Sequence, residues 1–330
     1  MKKFFLIGLV VVSSLLLIGC GKYGEKDIIK DLRKKIDKNS GYFLTGELEI
    51  INNEDSYVYN VESSYKKENN FKVSLKNKIN NHEQIILKNE EGVYVLTPSL
   101  NKSFKFQSEW PYNNSQIYLL QTILKDLESD DNRVFEENEN EYIFTATVNY
   151  SNNSELKKQK IVLDKDLNLK SVQVLDEKGN IHMKMTINSI DYKATFDDSY
   201  FSVTSNVSKE QIETTNQKLD SILYPMYIPE NTQLSNQEKV SLENGERIIL
   251  TFSGESPFTI VQETIQVSEE LLTIPTYGEP QMITDTVGVL SDNSVNWVSN
   301  GVEFYVVSDK LNNQQLLDVA NSINTKTVGK

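Results

Sequence analysis

The chain carries one cysteine, Cys20, and two histidines, His82 and His182, in 330 residues. A lone cysteine excludes any disulfide within the chain, so packing alone must hold the core. Two histidines and no spare thiolate exclude the usual histidine- or cysteine-rich zinc site. Arginine is scarce, and positive charge is outnumbered: 34 Lys and Arg stand against 47 Asp and Glu, for a net charge of −13. That balance excludes a nucleic-acid partner, which draws a basic footprint. It also excludes adhesion to an anionic bilayer through charge. No Walker loop, Rossmann glycine fingerprint or Gly-x-Ser-x-Gly elbow occurs. What is present is 38% hydrophobic and 25% charged residues, which suits a folded exterior protein. The length suffices for one large domain or two ordinary ones.

The first segment reads differently from the rest. Lys2 and Lys3 precede an apolar run from Phe4 to Ile18, then Gly19 and Cys20, and the chain turns polar at Gly21 and Lys22. A positive start, a short apolar region and a small residue at a cut site describe a secretory signal. The run is short for a membrane span, which needs about 20 residues. The stretch Leu17-Ile18-Gly19-Cys20 resembles the lipobox of bacterial lipoproteins, although Ile18 is bulkier than usual. The resemblance implies a signal peptide over 1–19 and a diacylglyceryl anchor on Cys20, the first residue of the mature chain. A plain membrane helix or an ordinary signal peptide are the alternatives. Loss of residues 1–19 removes two lysines and takes the net charge from −13 to near −15. The acyl chains would then hold an acidic body against electrostatic repulsion.

After a tether over 20–26, Ile28, Ile29, Leu32 and Ile36 share one face at helical spacing and predict a helix over 25–38. Period-two alternation follows from Tyr42 to Phe106, with turns at 52–55 and 68–70 and a stop at Pro98. It predicts consecutive antiparallel hairpins with one wet and one buried face. Ile117, Leu120, Ile123, Leu124 and Leu127 predict a helix over 115–128, with Ser115 as its N-cap. Strands resume over 142–148, 160–163, 170–175 and 182–190, and the sheet is expected to end near 196–201. Residues 206–223 read as a connector. A second unit over 224–330 has expected strands at 248–252, 258–266, 282–290, 294–298 and 302–307. Asn300-Gly301 marks a hairpin, and a helix is expected over 312–323.

Few residues suggest chemistry. Ser63–Lys66 and Ser99–Lys102 match Ser-x-x-Lys, but no Lys-Thr-Gly partner follows. Asp164, Asp166 and Asn168 begin like a calcium loop, yet Leu169 stands where glycine is required and Leu175 where glutamate is. A β-turn explains them. Glu136, Glu137, Glu139 and Glu141 read as a solvated hairpin tip, and both histidines as strand positions. The aromatic set Tyr94, Phe104, Phe106, Trp110, Tyr142 and Phe144 suits either plain sheet core or the lining of a cavity under a curved sheet. No cofactor is expected.

Gly92-Val93-Tyr94-Val95-Leu96-Thr97-Pro98, Phe104-Lys105-Phe106 ahead of a helix, and Asp197-Asp198-Ser199-Tyr200-Phe201 resemble the LolA-like lipoprotein-carrier fold. Trp110-Pro111-Tyr112-Asn113-Asn114-Ser115 is most similar to sporulation and germination lipoproteins of Firmicutes, of the GerS type. Tyr227-Ile228-Pro229-Glu230, Phe258-Thr259-Ile260-Val261-Gln262 and the hairpin from Trp297 to Gly301 resemble a module attached to related sporulation lipoproteins. The resemblance implies an α+β protein. A curved antiparallel half-barrel over 27–205 would carry helices on its concave face, and a smaller α+β domain would follow over 224–330. In the carriers the concave face takes acyl chains; in the germination lipoproteins the implied partner is a cortex-modifying cell-wall amidase. The expectation is therefore a non-enzymatic lipoprotein, anchored on the extracytoplasmic face of the membrane, that binds a protein. The alternative is a lipid or lipoprotein sensor with an acyl-chain ligand, since the two-domain layout resembles envelope-stress regulators.

Overall fold

The computed structural model describes residues 23–52, 55–150, 153–207, 219, 221–242, 245–265, 270–283, 285–299 and 301–323. Lys2, Lys3 and Cys20, and most of the expected connector, lie outside the described residues. Among the described residues no helix is long and apolar enough to cross a membrane.

Helix α1 (Glu25–Asp37) begins where the helical spacing predicts, so it takes in the last two residues of the expected tether. The Gly24 N–H donates to the Asp27 carboxylate at 3.2 Å, which satisfies one donor at the helix start. Glu25 and Asp27 lie in its first turn and Lys34 and Lys35 in its last, as the helix dipole favours. Ile28, Ile29, Leu32 and Ile36 are buried, each worth about 2 kcal/mol relative to exposure.

Six strands follow: β1 (Gly41–Asn52), β2 (Asp55–Lys66), β3 (Asn70–Asn77), β4 (Glu83–Asn89), β5 (Gly92–Thr97) and β6 (Lys102–Phe106). Each pairs antiparallel with the next. Helix α2 (Leu120–Ser129) crosses over to β7 (Val134–Glu137), β8 (Glu141–Thr147), β9 (Lys158–Asp164), β10 (Leu169–Leu175) and β11 (Ile181–Asp191). β11 pairs with β1, so both runs join into one sheet, ordered β6-β5-β4-β3-β2-β1-β11-β10-β9-β8-β7. Eleven strands at a spacing of about 4.8 Å would span about 48 Å if flat. Instead one face, from Phe106 on β6 to Phe144 on β8, converges with α1 and α2 in a single core. The sheet is an open half-barrel with both helices on its inner face, and the α+β class is as expected.

Ser115 does not cap α2. Its backbone N–H and its hydroxyl both bond Asn149, at 2.8 and 2.9 Å. The helix starts five residues later, where the Leu120 N–H donates to the Tyr42 hydroxyl at 3.3 Å. The 196–201 segment does not end the sheet either. It forms a 3-10 turn, Asp198–Phe201, and packs Phe201 on the outer face against Ile85, Leu87, Tyr94 and Leu96.

The second sheet has the order β12 (Thr232–Leu242), β13 (Gly245–Gly254), β14 (Phe258–Thr264), β19 (Val302–Val307), β18 (Ser294–Ser299), β17 (Thr286–Ser291), β16 (Glu279–Ile283). Helix α3 (Asn313–Asn321) is capped by the Asn312 side chain, which accepts from the Gln315 N–H. It covers one face of this sheet with Leu316, Leu317, Val319 and Ala320 against Trp297, Phe304 and Ile260. The expected strand over 282–290 is two strands, β16 and β17, folded back at Asp285.

The two units are not separate bodies. β15 (Leu272–Thr276), from within the second unit, pairs parallel with β6 and becomes the twelfth strand of the first sheet. Its Pro275 suits that edge position. β17 is buried on both sides: Val287 and Val289 belong to the first core, Leu290 to the second.

Candidate ligand pocket and docking edge

The inner face of the half-barrel is filled. Leu120, Ile123, Leu124 and Leu127 of α2 are all buried, in one core with Trp110 and Phe144. Of the six aromatics weighed as cavity lining, Phe106, Trp110, Tyr142 and Phe144 are in this core and Phe104 packs against it. Tyr94 points the other way, into the small outer cluster under Phe201. The set is therefore divided between the two sheet faces.

A cavity of about 470 Å3 lies elsewhere, at the seam between the two units. Ligand sites have volumes of this order. The half-barrel supplies Ile50 from β1, Ile86 from β4, and His182 and Met183 from β11. The approach to α2 supplies Asn114, Gln116 and Tyr118, and the β8–β9 connection Tyr150, Asn153, Glu155 and Leu156. The second unit closes the other side with Tyr227, Gln281, Met282, Gln314, Asp318 and Asn321. None of the six aromatics lines it.

Burial raises both tyrosine hydroxyls, Tyr118 and Tyr150, above the usual range, so each keeps its proton. Tyr118 Oη donates to Gln116 Oε1 at 2.8 Å. Gln314 Nε2 donates to Asp318 Oδ1 at 2.9 Å, while Gln314 Oε1 is buried without a partner. His182 Nε2 stands 3.6 Å from Asp176 Oδ2. On α2, Asp126 accepts from Gln159 Nε2 at 2.8 Å, and burial pushes its carboxyl up to about 6.

The seam around the cavity is held by polar contacts. Gln84 Nε2 donates to the Val287 carbonyl at 2.8 Å, and Gln84 Oε1 accepts from the Val287 N–H and from Thr286 Oγ1. Lys102 pairs with Glu303 at 2.5 Å in a nearly buried position, and Ser108 donates to Glu279 at 2.6 Å.

The remaining sequence candidates have structural places. Ser63 is buried in mid-β2, and Ser99 lies in a 3-10 turn, Pro98–Leu100. Asp164 Oδ1 accepts the N–H groups of Asp166 and Asn168, which makes that segment a turn. Glu136, Glu137 and Glu141 flank the β7–β8 hairpin with Glu139 at its tip. His182 is on β11 and at the cavity. His82 is in the turn before β4, not on a strand, and burial lowers its pKa. Among the described residues no three His, Cys, Asp or Glu side chains gather where a metal could sit.

One surface feature matches no motif. β12 is an edge strand of eleven residues, exposed along almost its whole length on both faces. Among the described residues no strand lies beside its outer row of backbone N–H and C=O groups. Tyr224, Met226 and Ile228 are exposed on the segment before it, and Tyr224 Oη donates to Gln237 on β12 at 2.6 Å.

No family model matches the chain. Among solved structures, the Pseudomonas aeruginosa MucA/MucB complex aligns over 92% of this chain and 100% of that one, at 12% identity and a TM-score of 0.35. The LolA superfamily protein NE2245 of Nitrosomonas europaea aligns over 55% of this chain and 98% of its own, at 11% identity and 0.32. The complex of the CwlD amidase with the GerS lipoprotein, from Clostridioides difficile, aligns over 55% of this chain and 99% of that one, at 14% and 0.21. Scores this low leave the fold to rest on the topology described above. Sequence similarity is stronger: the sporulation protein YdcC of Bacillus subtilis is 34% identical over 327 residues, 98% of this chain and 97% of that protein. The chain belongs to the family of that sporulation protein.

Proposed function

We propose that the protein is a non-enzymatic lipoprotein, anchored through Cys20 outside the membrane, that acts in sporulation by binding and supporting a cell-wall amidase. One observation carries the choice of a protein partner over an acyl-chain cargo: α2 occupies the inner face of the half-barrel with Leu120, Ile123, Leu124 and Leu127. A carrier of acyl chains needs that face open. The long edge of β12 then offers backbone groups for a partner strand. Membership of a sporulation protein's family supports the setting. The lipobox-like stretch supports the anchor, and the acidic charge adds long-range steering toward a basic partner.

The test is co-purification of the full chain, extracted from membranes of sporulating cells, with its bound proteins identified by mass spectrometry. The reading expects a cortex amidase, lost when Val240→Pro interrupts the edge. Recovery with no wall hydrolase, or with fatty acid bound under the sheet, would overturn it. Cys20→Ala should release the protein from the membrane fraction.

A further inference from the structure

We propose that the cavity at the seam of the two units is a binding site for a short neutral saccharide. Its lining decides the chemistry. Six carboxamide side chains reach it: Asn114, Gln116, Asn153, Gln281, Gln314 and Asn321. A carboxamide offers a donor and an acceptor side by side, which matches adjacent hydroxyl groups, each itself a donor and an acceptor. Among the described residues no lysine or arginine lines the cavity; its carboxylates are Glu155 and Asp318, and His182 already stands beside Asp176. A fatty-acid carboxylate or a phosphate would meet like charge there with no lysine or arginine to pair it. An uncharged ligand escapes that cost.

Gln314 supplies the second argument. Asp318 can only accept, so the nitrogen of the Gln314 amide is the atom turned toward it at 2.9 Å. The oxygen is therefore the atom left buried without a partner. A buried acceptor without a donor costs about 1–3 kcal/mol, and a ligand hydroxyl or amide N–H in the cavity would recover it. Ile50, Ile86, Met183, Met282 and Val287 form an apolar floor against which the C–H face of a pyranose ring can lie. Tyr118 and Tyr150 add aromatic surface. The site draws on both units, so it exists only while the seam is closed. It is separate from β12 and can fail while partner binding survives.

The experiment uses the full chain in lipid nanodiscs with methyl-labelled methionine. N,N′-diacetylchitobiose, cellobiose and laurate are the probes. The methyl signals of Met183 and Met282 should move saturably with at least one of the two sugars, and laurate should leave them in place. Gln314→Leu, which removes the acceptor, should weaken that binding at least tenfold, as should Met183→Trp, which fills the floor. Thermal melts and the methyl spectra of both variants establish that they are folded. If Met183→Trp fails to fold, Gln314→Leu with the wild-type spectra is sufficient. The proposal is overturned if neither sugar moves the Met183 and Met282 signals at millimolar concentration. It is equally overturned if binding is unchanged in Gln314→Leu, or if laurate moves the same signals at lower concentration than the sugars.

Discussion

Gln84 binds Val287 as one strand residue binds another. The carboxamide gives its N–H to the Val287 carbonyl and takes the Val287 N–H, across 203 positions of sequence. A side chain on β4 thus completes the backbone pairing of β17, a strand that faces both cores. Gln84→Leu should leave both backbone groups buried and unpaired. The expected loss is about 2–4 kcal/mol, read as a lower urea midpoint. Amide exchange of β17 should accelerate with it; an unchanged midpoint would mean that water replaces the side chain.

Gly288 lies on the same strand, facing the second core. A Cβ built there would stand 2.5 Å from the Asn296 carbonyl oxygen and 2.5 Å from Ile283 Cδ1. The backbone of β18 cannot yield as a side-chain tip can. Gly288→Val should cost about 3 kcal/mol or more and lower the melting temperature, whereas Gly179→Ala should not act by crowding, since nothing lies within 4 Å of that site.

Asp126 predicts a dependence on pH. Burial raises its carboxyl from 3.8 to about 6 in the folded chain. The folded state therefore holds its proton more tightly than the unfolded state between those values. Its contribution is most favourable below about pH 4 and declines as pH rises through 6, then stays level. Asp126→Asn keeps an acceptor for Gln159 and removes the ionisation. It should stabilise the protein by about 2 kcal/mol at pH 7.5 and by little at pH 4, compared by urea titration at the two values.

The start of α2 is set from outside the helix. Tyr42 Oη accepts from the Leu120 N–H and donates to Gln121 Oε1 at 2.9 Å. Tyr42→Phe should cost about 1 kcal/mol and loosen the first turn, seen as faster exchange of the Leu120 and Gln121 amides. Ser115→Ala should leave those amides unchanged.

Much of the first sheet was legible in the alternation of apolar and polar residues, because one face is buried and the other wet. β12 was not: exposed on both faces, it has no alternation to read. β15 hides behind Pro275 and its polar neighbours, and nothing local announces a parallel partner at Lys102–Phe106. Met282–Leu290 reads as one apolar run because β16 and β17 are each buried against other strands, which conceals the fold-back at Asp285. Ser115 looked like a cap, but its hydroxyl is engaged by Asn149, a residue remote in sequence. The aromatic set could not be sorted, since alternation gives two faces without saying which is inner; Tyr94 took the outer one. The cavity had no motif at all. Its residues come a few at a time from many segments and meet only once the second unit has folded against the first.

β15 also bears on how the molecule comes into being. Ser103 and Thr273 share a hydrogen bond 170 positions apart, and the edge of the first sheet stays bare until Leu272–Thr276 has arrived. Such long-range closure is slow, because loop entropy is lost before the pairing rewards it. If the chain is exported from its N-terminal end, the first unit must wait, incompletely edged, while the rest crosses the membrane. A chain cut short before Leu272 would keep nearly all of its first core and still present an open strand to its neighbours, a route to aggregation rather than to a smaller working protein.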